Sequence, residues 1–427
     1  MDTGSSEHAR PFTQGARAGL CDRLHGRGDA ARRARGVVVA PGVLSGVRIL
    51  DLTRLLPGPF LTQYLAQLGA EVIKIEAPEG GDYARTLSPA LFEQVNRGKA
   101  SVTLDLSDAD DVSAFMGLVA DADVVIESFR PGVMARLGCD YDTLATRQPS
   151  LVYAALTGYG QTGPMASAAG HDINYLSLSG VLDQTGPARG RPALSNVQIA
   201  DLAGGALTAG MAILAAVIGA RSSGRGSFID AAMLDGSLAL QSAAFARLQA
   251  SGHTQPRGAD ILTGALPNYR IYRCRDGLDL AVGALEPVFF KRLLAVLRGQ
   301  DRPLMRPAPA RTPVASHDNR RLVTRLERLL ADPVKAARWS RPVHWALAGL
   351  FRTRSRAWWL RRLGEVDACV TPVLTLEDAL AHPQVVARGM VEGAAPACPV
   401  CINGERPASL AQAPGLGQDN ARLLNRP

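Results

Sequence analysis

The chain has 427 residues, 47 % of them hydrophobic and 20 % charged, with a formal charge of +8, a balance that excludes a disordered or fibrous protein. At about 100 to 200 residues per domain the length predicts two or three domains, and aromatics at only 5 % leave the core to Ala, Val and Leu. The positive charge does not describe the whole chain: residues 291–362 hold 18 basic and four acidic residues, and this stretch has neither zinc-finger spacing nor an aromatic-basic RNA-binding motif. It is read first as solvated surface and second as an attractor of anionic ligands, with no nucleic-acid partner expected.

Residues 1–43 are Arg-rich and lack the apolar centre of a secretory signal, so they read as a disordered or mis-called leader. From there strand and helix patterns alternate. Val47–Leu52 is predicted as a strand, Phe60–Leu68 as a helix and Glu71–Ile75 as a second strand. Ser101–Leu106, an amphipathic helix at Ala109–Val119, Val124–Ile126 and Leu151–Leu156 continue the series. This is the signature of an α/β fold, a Rossmann-like large domain with a parallel sheet, whose first part is assigned to residues 44–225. Ligands in such sheets bind beyond the carboxyl ends of the strands. The first strand leads into Pro57-Gly58-Pro59, not GxGxxG, which disfavours a nicotinamide dehydrogenase.

Leu202–Ala220 contains 19 residues without a charge, and a buried helix is expected there in preference to a membrane span. Residues 226–265 read as a linker. Tyr269–Tyr272 and Leu278–Val282, around an Asp276-Gly277 turn and followed by a helix from Pro287, predict a smaller α+β domain over residues 266–365. That domain carries a Pro- and Arg-rich insert at 298–320. Residues 366–427 are assigned as a return to the large domain and a tail. The six cysteines are too few and scattered for a disulfide framework, so free thiols and a cytoplasmic location are expected. Cys398 and Cys401 have CxxC spacing but no second Cys or His pair, and no metal site is expected.

Three polar groups stand where apolar residues would be easier to accommodate. His171 and Asp172 open a short helix in Gly170-His171-Asp172-Ile173-Asn174-Tyr175, Asp201 precedes Gly204-Gly205 and opens the uncharged helix, and Glu286 precedes Pro287. Taken singly, each also fits a helix cap. Together they suit proton transfer, because a His and a carboxylate flanking one carbon can take and return a proton while helix N-terminal amides hold the developing oxyanion.

These residues, with Gly46–Leu52, Leu68–Glu76, Asn96-Arg97-Gly98-Lys99, Glu127–Val133, Ile199–Gly205 and Asp367–Leu374, resemble the class III CoA-transferase superfamily (CaiB/BaiF type), and within it the α-methylacyl-CoA racemases. The resemblance runs from about Leu44 to about Met390. It implies an interlaced homodimer, an acyl-CoA thioester substrate, no cofactor beyond the CoA of that substrate, and an active site between the large domain of one subunit and the small domain of the other. It further implies His171 and Asp201 as the acid/base residues, with Asp172 paired to Glu286. Contacts to CoA are implied at Leu104 and Asp105, at Ser128, Phe129 and Arg130, at Arg136, and along Gly170, Ile173, Asn174 and Tyr175. Arg130 and Arg136 would meet the phosphates.

The same superfamily supplies a rival: in its transferases the Asp aligned with Asp201 is a nucleophile that forms an acyl anhydride and passes CoA to another acid. The complete GHDINY run and Glu286-Pro287 follow the racemase pattern. Two departures concern CoA: Ala77 stands where related proteins often have an Arg, and Ser107 replaces a frequent Lys.

Overall fold

The computed structural model describes residues 42–299, 333–393 and 395–424, and for 333–339 the backbone alone. Nearly all of the proposed leader, Cys21 within it, and nearly all of the insert at 298–320 lie outside the described residues. Six parallel strands build the main sheet: β1 (Arg48–Asp51), β2 (Glu71–Glu76), β3 (Ala100–Thr103), β4 (Val124–Glu127), β5 (Val152–Thr157) and β6 (Ser227–Ala232), in the order β3-β2-β1-β4-β5-β6. The Val- and Ile-rich runs of β1, β2 and β4 are what strands covered on both faces require. Side chains alternate across the sheet: Ile49, Val124 and Ala154 join one core cluster with Leu61 and Ile213, while Leu50, Val125 and Ala155 join another with Phe115 and Leu144.

The strand order reverses between β1 and β4. Successive strands step one way from β1 to β3 and the other way from β4 to β6, which opens a crevice between the carboxyl ends of β1 and β4. Helix α1 (Pro57–Gln67) begins with Pro at its first turn, where a missing N–H costs nothing. Gly58 is required beside it, since a Cβ there would lie 2.2 Å from the Thr53 side chain. The loop after β1 is thereby pressed against the start of α1.

Two sequence expectations change here. Residues 227–232, read as part of a linker, form the sixth strand and pair along their whole length with β5. Ser227 and Asp230 interrupt the apolar run, which an edge strand tolerates; Asp230 is exposed and its carboxylate accepts from Gln161 N (3.0 Å). The uncharged segment, expected to be a buried helix, is a π-helical stretch at Ala200–Leu207 continuing into α2 (Thr208–Ser223). Ala209, Ile213 and Val217 pack on the sheet, but Met211 and Ile218 are 68 % and 72 % exposed. Its apolar composition runs all the way round, whereas the single chain covers only one face.

Helix α3 (Met233–Ala239) crosses the π-helical stretch at backbone contact: a Cβ on Gly236 would lie 1.8 Å from Gly204 O, and one on Gly204 would lie 2.6 Å from Ser237 Oγ. The Gly204-Gly205 pair therefore serves close helix packing.

A second sheet, antiparallel, is made of β7 (Tyr269–Arg273), β8 (Asp279–Gly283) and β9 (Val370–Pro372). With α4 (Pro287–Leu297), α5 (Pro333–Phe351) and α6 (Arg356–Leu363) it encloses its own core of Tyr272, Leu280, Leu293, Phe351 and Trp359. Residues 370–372 thus belong to this second sheet, and the chain rejoins the main sheet further on. There Gly98 N donates to Ala411 O (3.0 Å) and Asp419 N to Ser101 O (2.9 Å).

Candidate active site

The short helix α7 spans Asp172–Leu178 and is entered by His171 in an extended conformation. His171 N donates to Asn174 Oδ1 (3.1 Å), and Asn174 N donates back to His171 O (2.8 Å), so the cap is made by the backbone of His171 and leaves its imidazole at the surface. Tyr175 Oη donates to Gly170 O (2.6 Å). Gly170 is needed there, because a Cβ would lie 2.6 Å from Tyr159 Oη and 2.8 Å from Tyr175.

Asp172 ties this helix to the other half of the site. Its Oδ1 accepts from Ala200 N (2.7 Å) and Asp201 N (3.1 Å), occupying the free amides at the start of the π-helical stretch. The Asp201 carboxyl is consequently half-buried and close to a second carboxylate. Burial first, and the charge of Asp172 second, push its pKa from the ordinary 3.8 to about 7. Tyr175 is pushed to about 12, by burial and then by Asp201, and so keeps its proton.

The structure joins Asp172 to Asp201 through these hydrogen bonds, with His171 next to Asp172 in the chain, and does not add Glu286 to them. Glu286 is exposed at the N-cap of α4, in the second unit, and no described contact joins it to Asp172 within the chain. Its charge is felt at Cys369, whose thiol is pushed up by burial, Asp367 and Glu286.

The residues read as CoA contacts all lie at the carboxyl end of the main sheet. Leu104 is in the core and Asp105 follows it, its carboxylate accepting from Ser107 N (2.9 Å) and Ser107 Oγ (2.6 Å). Ser128, Phe129 and Arg130 follow β4, and Arg130 and Arg136 are exposed. Beneath them Glu127 is buried and accepts from Phe129 N (2.6 Å); burial pushes its carboxyl to about 7.

One functional-looking residue was missed by sequence reasoning. Arg54, in the loop after β1, places its guanidinium carbon 5.0 Å from the ring centres of both Tyr83 and Phe129. A lone Arg beside Pro57-Gly58-Pro59 reads only as loop. A cavity of about 540 Å³ lined by Glu71, Gly98, Lys99 and Arg422 lies at the opposite, amino-terminal, end of the strands and shares no residue with this group. Among the described residues no cluster of three His, Cys, Asp or Glu could hold a metal ion.

The family model described as CoA-transferase family III matches residues 44–420 and so extends past Met390. The alpha-methylacyl-CoA racemase of Mus musculus is 36 % identical over 340 residues, covering 80 % of each chain. The succinate–glutarate CoA-transferase of Agrobacterium fabrum is 35 % identical over 370 residues, covering 81 % of this chain and 84 % of the relative. Among solved structures, a CAIB/BAIF family protein from Brucella suis superposes with a TM-score of 0.74 at 28 % identity, covering 90 % of this chain and 99 % of that one.

Proposed function

This chain belongs to CoA-transferase family III, and from that premise we propose that it is an α-methylacyl-CoA racemase, inverting the 2-methyl centre of acyl-CoA thioesters by 1,1-proton transfer. The observation that carries the reading is the arrangement at Asp201, half-buried beside the Asp172 carboxylate, which follows His171 and accepts from the Asp201 amide (3.1 Å). A carboxyl near pKa 7 is matched to giving and taking protons at neutral pH, whereas a carboxylate nucleophile is best served by full ionisation.

In the reaction, His171 or Asp201 removes the α-proton, and the C–H electron pair moves into the thioester carbonyl to form an enolate. The other residue then returns a proton to the opposite face, and the pair moves back to carbon. Because Asp172 already occupies the amides of Ala200 and Asp201, the enolate oxygen falls to the backbone N–H groups of Asp172 and Ile173 at the start of α7. Fixed positioning supplies the rest, since an α-proton of a thioester is only weakly acidic.

An interlaced homodimer accompanies this reading. A second copy would cover the open apolar face of α2 with Leu207, Met211 and Ile218, and would let Glu286 of the partner subunit meet Asp172. The free thiols of Cys139, Cys274, Cys369, Cys398 and Cys401 fit a reducing compartment, and a cytoplasmic location goes with them.

The similarity to the succinate–glutarate transferase favours a second reading, in which Asp201 attacks the thioester carbonyl and CoA passes to a free acid. Proton NMR in deuterated water separates the two. With a single-enantiomer 2-methylacyl-CoA and no acceptor acid, racemisation predicts loss of the α-proton signal together with appearance of the opposite epimer. An unexchanged α-proton, followed by CoA transfer once free acids are added, would sink the racemase reading.

A further inference from the structure

We propose that Arg54 is a phosphate-binding residue for the nucleotide end of CoA, held ready by the buried Lys74–Asp82 ion pair. The proposal rests on the reading that this chain takes CoA thioesters. Arg54 follows β1, and Ser128 and Phe129 follow β4, so the three residues flank the crevice where the strand order reverses, the position at which doubly wound sheets bind their ligands.

The guanidinium is placed but not neutralised. Its Nη1 donates to Tyr83 Oη (2.9 Å), its faces lie against the rings of Tyr83 and Phe129, and Arg54 N reaches Ser128 Oγ (3.4 Å). No carboxylate is paired with it among the described residues. Arg85 differs, being spent on both oxygens of Glu76 (2.7 and 2.8 Å). A guanidinium has five donors in a fork that matches phosphate oxygens, and here most of them stay free.

The backbone on either side of Arg54 is tied to one ion pair. Lys74 Nζ donates to Thr53 O (2.8 Å) and pairs with Asp82 (2.9 Å), while Asp82 Oδ1 accepts from Leu55 N (3.0 Å) and Ala84 N (2.9 Å). Both charged side chains are buried. Leu55 sits at φ +64°, in the left-handed region that costs a branched residue free energy. A buried ion pair holding a strained turn under an unpaired cation is preorganisation for an anion, because the ordering cost is met before the ligand arrives. Tyr83, 54 % exposed, offers its outer face to the same ligand. Ala77 and Ser107 supply no cation at the ends of β2 and β3.

CoA carries two kinds of phosphate, the 3′-phosphate and the diphosphate, and calorimetric titration of the full-length protein with CoA and dephospho-CoA tells them apart. Arg54→Gln is expected to weaken CoA binding about 10- to 100-fold, in the range of a lost charge-assisted pair. If the 3′-phosphate is the contact, dephospho-CoA binds wild type and variant equally; if the diphosphate is, both ligands lose the same factor. Asp82→Asn should weaken CoA in the wild-type background and add nothing in Arg54→Gln, a non-additivity that general destabilisation would not produce. Should Asp82→Asn fail to fold, Arg54→Lys still decides, recovering part of the affinity through charge alone. Binding of both ligands by Arg54→Gln within twofold of wild type overturns the proposal while leaving the CoA reading intact. Absence of CoA binding by the wild type overturns both.

Discussion

Two groups of enclosed carboxylates in the large unit meet the same desolvation and respond in opposite directions. Asp51 and Glu76, near the crevice, would be raised by burial alone. Lys99 and Lys74 around Asp51, and Arg85 with the Asp82 amide at Glu76, outweigh that and hold both carboxyls below the usual range. Asp201 and Glu127 lack a cation and sit near 7. Burial therefore does not by itself make a proton-transfer group; the identity of the nearest partner decides. The first group is scaffold, with Asp51 accepting from Lys99 Nζ (2.9 Å), Thr62 Oγ1 (2.6 Å) and both the amide and hydroxyl of Thr53. In the second group, Asp201 has a carboxylate for its neighbour.

The contrast can be broken most sharply at the second group. Asp201→Asn and His171→Ala should each lower epimerisation about 100- to 10,000-fold, the range for loss of a general acid or base. Thermal unfolding at neutral pH should stay within a few degrees of wild type. A rate within tenfold of wild type in either variant would remove that residue from proton transfer.

At the first group the expected effect is on stability. Lys99→Met strands Asp51 in the core and should cost about 3–5 kcal/mol, read as a lower urea midpoint. Adding Asp51→Asn to it should recover part of that loss. A single variant as stable as wild type would mean that the lysine contributes only packing.

The smallest effect sharpens the contrast through pH. The folded-state pKa of Asp201 lies above its ordinary value of 3.8, so the stability its protonated form contributes is complete below about pH 4 and is lost as pH rises through about 7. Asp201→Asn removes that dependence. The variant should gain on wild type in urea titrations as pH goes from 5 to 8, by a margin that levels off above 8. Asp51 carries the opposite sign: its contribution is present above its ordinary value and fades on acidification. A wild-type-to-variant gap that stays flat from pH 5 to 8 would contradict the raised carboxyl.

Much of this was open to sequence reading, for a physical reason. Strands covered on both faces favour Val and Ile, so β1, β2 and β4 announced themselves by composition and β3 and β5 by their place in the alternating series, and helix starts need caps, so His171, Asp172, Asp201 and Glu286 stood out. β6 did not, because an edge strand tolerates Ser227 and Asp230. The uncovered side of α2 was equally invisible, since Met211 and Ile218 are as apolar as Ile213 and only the surroundings distinguish them. Arg54 was missed because its role depends on Tyr83 and Phe129, 29 and 75 positions away in the chain. Likewise, nothing local joins Asp51 to Lys99.

The chain has only four lysines, and Lys74 and Lys99 are wholly enclosed while Lys291 lies open on α4. Amine-reactive dyes, acylating agents and immobilisation chemistry will therefore spare the main sheet of the native protein. A covalent tag recovered on Lys74 or Lys99 would time-stamp the opening of the large core, making the two amines built-in reporters of unfolding that require no engineered probe.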